Sequence, residues 1–592
     1  MANYFGTPGD DILQPPLIDL TQPAYIYGLG GNDIIVGTDL NDLIDGGTGA
    51  DIMQGDGGSN TYLVDDETDL VLTNTGFDTI WLAALTAITY NMSAFASNTQ
   101  NLVLFQTSSL LNHNVIGNGL ANVITGNNGN NQISGLGGND TLYGSGGNDN
   151  LDGGTGNDAM FGGIGNDTYF VDSPGDTIQD DASDPVTFNT VISNINFVLG
   201  AYIRSLVLIG SGDLNGTGNA GNNLVSGTAG KNVLNGGVGA DTMSGGGGAS
   251  GDSFYVDNGG DRVIATGIGD YPNNPSPTGA GVNTIFSSIS LNLTGGVVTI
   301  GNVYNLVLTG TGNLAGAGNG LGNYVTGNSG NNSLNGLGGT DYLYGRGGSD
   351  TLDGGSGNDF LDGGAGADTF ITSTGADSYY VDNLGDVVTG NAGGPHRVFA
   401  SVNNYSLATN AAGVRHLTLE GNSPLVATGN SLNNSMVGNS ANNQLFGGTG
   451  TDSLYGQEGS DRLLGQEGDD LLVGGAGGDR FAFSGVATFA DLGVDTLNDF
   501  NAAEGDQIQL SRSVFTAFAG QNIATSLSGS QFTTVTSDSL AGVSTAAVVY
   551  SSASGKLYYN PDGAIAGFSG GGYFARLQGI PALAGTQLLI SA

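Results

Sequence analysis

Residues 336–377 read GLGGTDYLY, GRGGSDTLD, GGSGNDFLD, GGAGADTFI, TSTGAD. Aspartate returns at every ninth position: Asp341, Asp350, Asp359, Asp368 and Asp377. Glycines lie ahead of each, and a large apolar residue follows two positions behind the first four: Leu343, Leu352, Leu361, Phe370. Each part of this nonapeptide has a physical reading. The glycines permit positive φ and close backbone approach in a tight turn. The triplet after the aspartate is a short strand, and the alternation of side chains along it turns the large apolar residue inward. Two nonapeptides make one coil, so that like turns stack at about 4.8 Å and the aspartates form a column. Two carboxylates about 5 Å apart repel by roughly 3 kcal/mol at an effective dielectric near 20, so such a column needs a counter-ion. Ca²⁺ suits it, taking roughly six to eight oxygens from carboxylates and turn carbonyls.

The pattern G-G-x-G-x-D-x-U-x resembles the nonapeptide of the RTX (repeats-in-toxin) family, and the resemblance extends over nearly the whole chain. Further tracts place candidate calcium ligands at Asp33, Asp42 and Asp51, at Asp140, Asp149, Asp158 and Asp167, at Asp241 and Asp252, and at Asp452, Asp461, Asp470 and Asp479. The fold expected is all-β: a right-handed parallel β-roll or β-solenoid with four long repeats and a C-terminal β-rich cap.

The four long repeats are marked by TYLVDDETDLVL at 61, TYFVDSPGDTIQ at 168, SFYVDNGGDRVI at 253 and SYYVDNLGDVVT at 378. Each is followed by strand-like pieces such as FDTIWL at 77 and VNTIFS at 282. Alternating apolar and β-branched content predicts strands throughout. Each unit then enters its nonapeptides through asparagine. The aspartate position reads Asn122, Asn131 before Asp140; Asn223, Asn232 before Asp241; Asn323, Asn332 before Asp341; and Asn434, Asn443 before Asp452. Asparagine tolerates the turn and hydrogen-bonds backbone but carries no charge, so each block is expected to begin with metal-free turns and pass into metal-bound ones. The organisation expected is an N-terminal coil and first tract (1–60), four units (61–167, 168–252, 253–377 and 378–480), and a C-terminal cap and secretion domain (481–592). Within the last, Asp495, Asp499, Phe500, Gly505, Asp506, Ile508 and Leu510 resemble the D-x-I-x-D-F … G-D-x-I-x-L segment that follows the final repeats in RTX proteins.

Composition narrows the partners. The 592 residues include 109 glycines, 54 acidic and 11 basic side chains, for a net charge of −43. Nucleic acid, which requires Lys/Arg clusters, is excluded as an expected partner. There is no cysteine, hence no disulfide framework. No apolar run is long enough to span a bilayer as a helix, and the start, MANYFGTPGDDIL, lacks the basic and apolar segments of an ordinary signal peptide. The RTX resemblance implies export through a one-step (type I) channel with an uncleaved C-terminal signal, and a secreted, extracellular or cell-surface location on bacteria.

No catalytic signature is found. None of His113, His396 and His416 lies in H-E-x-x-H. GFSGG at 567–571 matches G-x-S-x-G in form, but no histidine follows Ser569, as an elbow triad requires. The expectation is therefore not an enzyme but a calcium-binding structural protein, a calcium-rigidified rod in a surface layer, sheath or fibril. It would partner calcium and, by head-to-tail or lateral assembly, itself. The alternative is an adhesin or biofilm-matrix protein binding a surface polysaccharide through aromatics such as Tyr304, Tyr405, Tyr558 and Tyr559, set against ladder or inward positions for the same residues.

Overall fold

The computed structural model describes residues 2–15, 22–72, 76–95, 99–104, 111–180, 187–248, 250–265, 281–295, 298–300, 303–390, 394–563 and 567–592. The chain is a parallel β-solenoid. In the tract from 336 the triplets pair with those eighteen residues on: Leu343 opposite Leu361, and Leu352 opposite Phe370. Two nonapeptides therefore make one coil, and successive nonapeptides alternate between two sheets. Leu343, Leu352, Leu361 and Phe370 are buried, and the residues flanking them face outward. Each strand thus contributes one large side chain to a core two columns wide, at roughly 1.5–3 kcal/mol per fully buried side chain.

The chain divides into two compact units, one made mainly of residues 1–270 and the other mainly of residues 304–592. In the first, a ten-stranded parallel sheet runs from Ala2–Phe5 through Ala24–Tyr27, Leu43–Asp45 and onward to Thr177–Gln179. The long-unit segments take their place in this same stack. Thr61–Val64 pairs with Thr79–Leu82, Thr79–Leu82 with Asn101–Leu104, and Asn101–Leu104 with Val123–Thr125. Their register advances by 18, 22 and 22 residues, against 18 in the nonapeptide tracts. The long repeats are therefore ordinary solenoid coils with longer connections, not a separate architecture.

In the second unit a six-stranded sheet (Leu291–Asn292 to Val387–Thr389) faces a long ladder that includes Tyr342–Tyr344, Phe360–Asp362 and Ser378–Val381. Arg480–Phe483 pairs with Gln507–Ser511, and Gln507–Ser511 with Leu588–Ser591, all parallel. Among the described residues antiparallel pairing is confined to the C-terminal region: Val548–Ser551, Lys556–Tyr559 and Gly572–Leu577 form a meander, and Ser526 bridges Leu589. Beneath it Phe483, Phe489, Phe515, Tyr559 and Phe574 pack edge to face or tilted at 4.9–6.5 Å between ring centroids. The helices among the described residues are single turns, and none is long and apolar enough to cross a membrane.

Candidate metal centre

The stacked turns convert a nine-residue spacing into two continuous columns of carboxylates. In one, the N–H of Asn323 donates to Asp341 Oδ1 at 2.6 Å, that of Asp341 to Asp359 Oδ1 at 2.8 Å, and that of Asp359 to Asp377 Oδ1 at 3.1 Å. In the other, Asn332, Asp350, Asp368 and Asp386 are linked in the same way at 2.6, 2.7 and 2.9 Å. Equivalent contacts join Asn131 to Asp149, Asp149 to Asp167, and Asn434 to Asp452. One carboxylate oxygen is thus used up by the fold.

The other oxygen is not. In fifteen of the eighteen predicted ligands, all but Asp42, Asp252 and Asp377, Oδ2 is buried and accepts no hydrogen bond. A buried ionised oxygen without a partner is costly, and burial raises these groups accordingly. Asp149 and Asp341 are pushed up to about 8, Asp140, Asp368, Asp461 and Asp470 to about 7, and Asp359 to about 6. Desolvation is the main cause in each, and for Asp341 and Asp149 the next carboxylate of the column adds to it.

The glycine five residues ahead of each aspartate keeps a space open beside that oxygen. A Cβ on Gly336 would lie 2.3 Å from Asp341 Oδ2 and 2.5 Å from the Gly354 carbonyl oxygen of the next coil. On Gly345 it would lie 2.2 Å from Asp350 Oδ2 and 2.5 Å from Gly363 O. A carboxylate oxygen and a carbonyl oxygen from adjacent coils therefore converge on one point. No three acidic or histidine side chains among the described residues are placed to hold one metal ion together, so carbonyls must complete any cation site here. An all-oxygen donor set of this kind fits a hard cation such as Ca²⁺.

The asparagine turns solve the same problem without an ion. The amide group has N–H donors where the carboxylate has only acceptors. Nδ2 of Asn131 donates to His113 O at 2.8 Å, that of Asn223 to Ile203 O at 3.1 Å, that of Asn232 to Leu214 O at 2.9 Å, and that of Asn323 to Tyr304 O at 3.3 Å. Each of these carbonyls belongs to the coil below, where a carboxylate would meet lone pairs. Asn60, at the end of the first tract, donates instead within its own turn, to Gly57 O.

Three predicted ligands fall outside these fifteen. Asp42 Oδ2 caps its own turn, accepting from Thr38 N at 2.5 Å and Thr38 Oγ1 at 3.0 Å. Asp377 Oδ2 lies 3.2 Å from His396 Nδ1 and accepts from Tyr379 Oη at 3.3 Å. Asp252 accepts from Asn232 N at 2.8 Å through Oδ1.

The columns also run past the nonapeptides, through residues that the repeat pattern does not single out. Asp176, Asp261 and Asp386 are the second aspartates of V-D-x-x-G-D segments, and Asp69 ends the related V-D-D-E-T-D; each is nine residues beyond the last repeat position. Each accepts through Oδ1 from the coil below. Their Oδ2 atoms are satisfied locally: that of Asp386 accepts from Asp382 N at 3.2 Å and Asn383 N at 3.0 Å, and Asp69, Asp176 and Asp261 repeat the arrangement. Asp495 and Asp506 continue the last block, accepting from Asp470 N and Asp479 N. Continuing the nine-residue count would have found the first four.

The aromatics expected to offer sugar-stacking faces do not do so. Tyr304, Tyr405, Tyr558 and Tyr559 are all buried. The outward aromatics stack on each other instead, Tyr324 on Tyr342 at 4.5 Å and Tyr342 on Phe360 at 4.7 Å, with nearly parallel rings. Ser569 lies in an exposed turn.

Comparison with known families agrees with this geometry. The RTX calcium-binding nonapeptide repeat (4 copies) matches residues 27–62, 116–151, 134–169, 217–250, 317–352, 344–379, 428–463 and 446–481. These stretches take in seventeen of the eighteen predicted aspartates, all but Asp252. No curated protein matched the chain in a sequence comparison.

Proposed function

We propose that this chain, which carries RTX calcium-binding nonapeptide repeats along much of its length, is a secreted bacterial structural protein whose solenoid is made rigid by calcium and which contributes to a surface layer, sheath or fibril. The observation that carries the reading is the unpartnered Oδ2 in fifteen aspartates, each beside a glycine-cleared space. We assign these oxygens, with the glycine carbonyls of the neighbouring coil, as the calcium ligands. When bound, the ion supplies the positive charge that the buried columns lack. The protein's own groups hold the geometry: Oδ1 fixes each carboxylate to the coil below, glycine keeps the space open, and the inward Leu and Phe set the stacking.

Because the site does not exist in the unfolded chain, binding energy is folding energy. The chain would leave the calcium-poor cytosol unfolded and fold outside, with affinity in the range roughly 10⁻⁴ to 10⁻³ M typical of extracellular modules. Far-UV circular dichroism with and without chelator tests the calcium part, and a spectrum indifferent to chelation rejects it. Negative-stain microscopy in millimolar calcium tests assembly; particles that remain single chains at all concentrations reject the layer or fibril.

A further inference from the structure

Arg462 and Arg480 are Cα partners on the neighbouring parallel strands Arg462–Glu467 and Arg480–Phe483. Register puts the two side chains on one face, about 4.8 Å apart along the stack. Gln444 precedes them in the same row and Gln507 follows. Arg462 is held in place: its guanidinium carbon lies 5.9 Å from the Phe446 ring centroid and its Nε donates to Gln509 Oε1 at 3.4 Å. That contact leaves the terminal nitrogens of the fork for another acceptor. Arg480 is exposed.

Like charges directly opposite on a sheet are destabilising. The chain has 54 acidic residues with which to offset this pair, yet among the described residues neither arginine is within ion-pairing distance of a carboxylate, whereas Lys556 Nζ lies 3.1 Å from Asp538 Oδ2. A guanidinium fork grips two oxygens at once. A carboxylate has only two oxygens and satisfies a single fork, whereas two adjacent forks suit a group that can present two edges.

We infer that Arg462 and Arg480 form a subsite for a tetrahedral oxyanion, a sulfate or phosphate group, either as a free ion or as an ester on a polymer. The inference is independent of the calcium columns. Since the net charge of −43 repels anions at long range, recognition rests on these short-range forks, and Debye screening over about 8 Å at physiological salt confines the opposing field.

Titration calorimetry on the full, calcium-loaded chain tests this, with sodium sulfate, dextran sulfate and neutral dextran as probes. Arg480→Gln, at an exposed position, should retain the calcium-loaded circular dichroism spectrum and weaken sulfate-group binding about tenfold, the value of one charge-assisted bond. Arg462→Gln/Arg480→Gln should weaken it further. Dextran sulfate binding much more tightly per group than sodium sulfate identifies a polymer-borne ester; equal affinities identify the free ion. Binding of dextran sulfate that is unchanged in both variants, as bridging by calcium would give, overturns the subsite, as does equal binding of neutral dextran or no binding of either sulfate probe.

Discussion

Replacing Asp359 by asparagine should change stability in opposite directions with and without calcium. Asp359 is fully buried, its Oδ2 accepts nothing, and burial followed by repulsion from Asp377 and Asp353 raises it to about 6. The unfolded value is near 3.9, so the shift of roughly two units corresponds to about 3 kcal/mol. The sign follows from proton binding. A group whose folded pKa is raised stabilises the fold fully below pH 4, and that contribution is lost as pH rises through 6. The chelated protein should therefore lose structure between pH 4 and about 8, since Asp341 and Asp368, at about 8 and 7, titrate in the same direction. At pH 7.5 the three together cost on the order of 10 kcal/mol, comparable with the whole stability of a domain. Asp359→Asn keeps an oxygen to accept from Asp341 N but removes the charge. In chelator at pH 7.5 it should be more structured than the parent by circular dichroism, with a weaker pH dependence. In a calcium titration it should need more calcium to fold, because a proposed ligand is gone. A variant that is less structured than the parent in chelator and folds at the same calcium concentration would refute the reasoning.

Gly354→Ala would place a Cβ 2.3 Å from Asp359 Oδ2; the calcium midpoint of folding should rise sharply, while Gly119→Ala, with nothing within 4 Å, should leave it unchanged. Asn332→Asp removes the Nδ2 bonds to Leu314 O and Asn328 Oδ1 and should destabilise the calcium-loaded protein by about 1–3 kcal/mol in thermal denaturation; a gain in stability with calcium would show that amide turns are ordinary metal sites. Phe515→Ala empties a fully buried position beside Phe483, Phe489 and Phe574, at about 3–5 kcal/mol, and limited proteolysis should then release fragments from the C-terminal region even in saturating calcium.

Much of the architecture is written in the period. Nine residues with one inward apolar position define a coil of two strands, and the observed eighteen-residue register is its direct consequence. Connection lengths are not so readable, because a coil tolerates extra residues at its turns: Thr168 pairs with Thr190, Thr190 with Ser205 and Ser205 with Leu224, steps of 22, 15 and 19. At the candidate site, the spacing identifies which residues form the columns. It does not tell whether the second oxygen is free, since that depends on local turn geometry. Asp341 and Asp386 have the same side chain and the same contact to the coil below, yet only Asp386 has two N–H groups of its own turn within reach. The aromatic rows required an eighteen-residue comparison: Tyr324, Tyr342 and Phe360 are visible that way, whereas Tyr304 and Tyr405 occupy inward positions.

The placement of the three kinds of turn explains why the blocks have ends. A carboxylate column can start only on a coil that offers N–H groups, and the coils below Asn131, Asn223, Asn232 and Asn323 present carbonyls instead. Amides are the side chains that can meet a carbonyl there and still offer their own backbone N–H to the first aspartate above. At the other end of the first four blocks, one column closes on Asp69, Asp176, Asp261 or Asp386, which accepts the last N–H and satisfies its remaining oxygen from its own backbone, and the other closes on Asp78, Asn189, Asn283 or His396; the last block passes instead to Asp495 and Asp506. In the three blocks that open on asparagine and close in this way, uncompensated negative charge is thereby confined to the interior. In a solenoid, coils contact only their neighbours and stability is close to a sum of nearest-neighbour terms. A block bounded by neutral amides below and a self-capped aspartate above exerts little electrostatic demand on the next. Its requirement for cations is then set by the number of aspartates it encloses, and lengthening one block leaves the others unchanged.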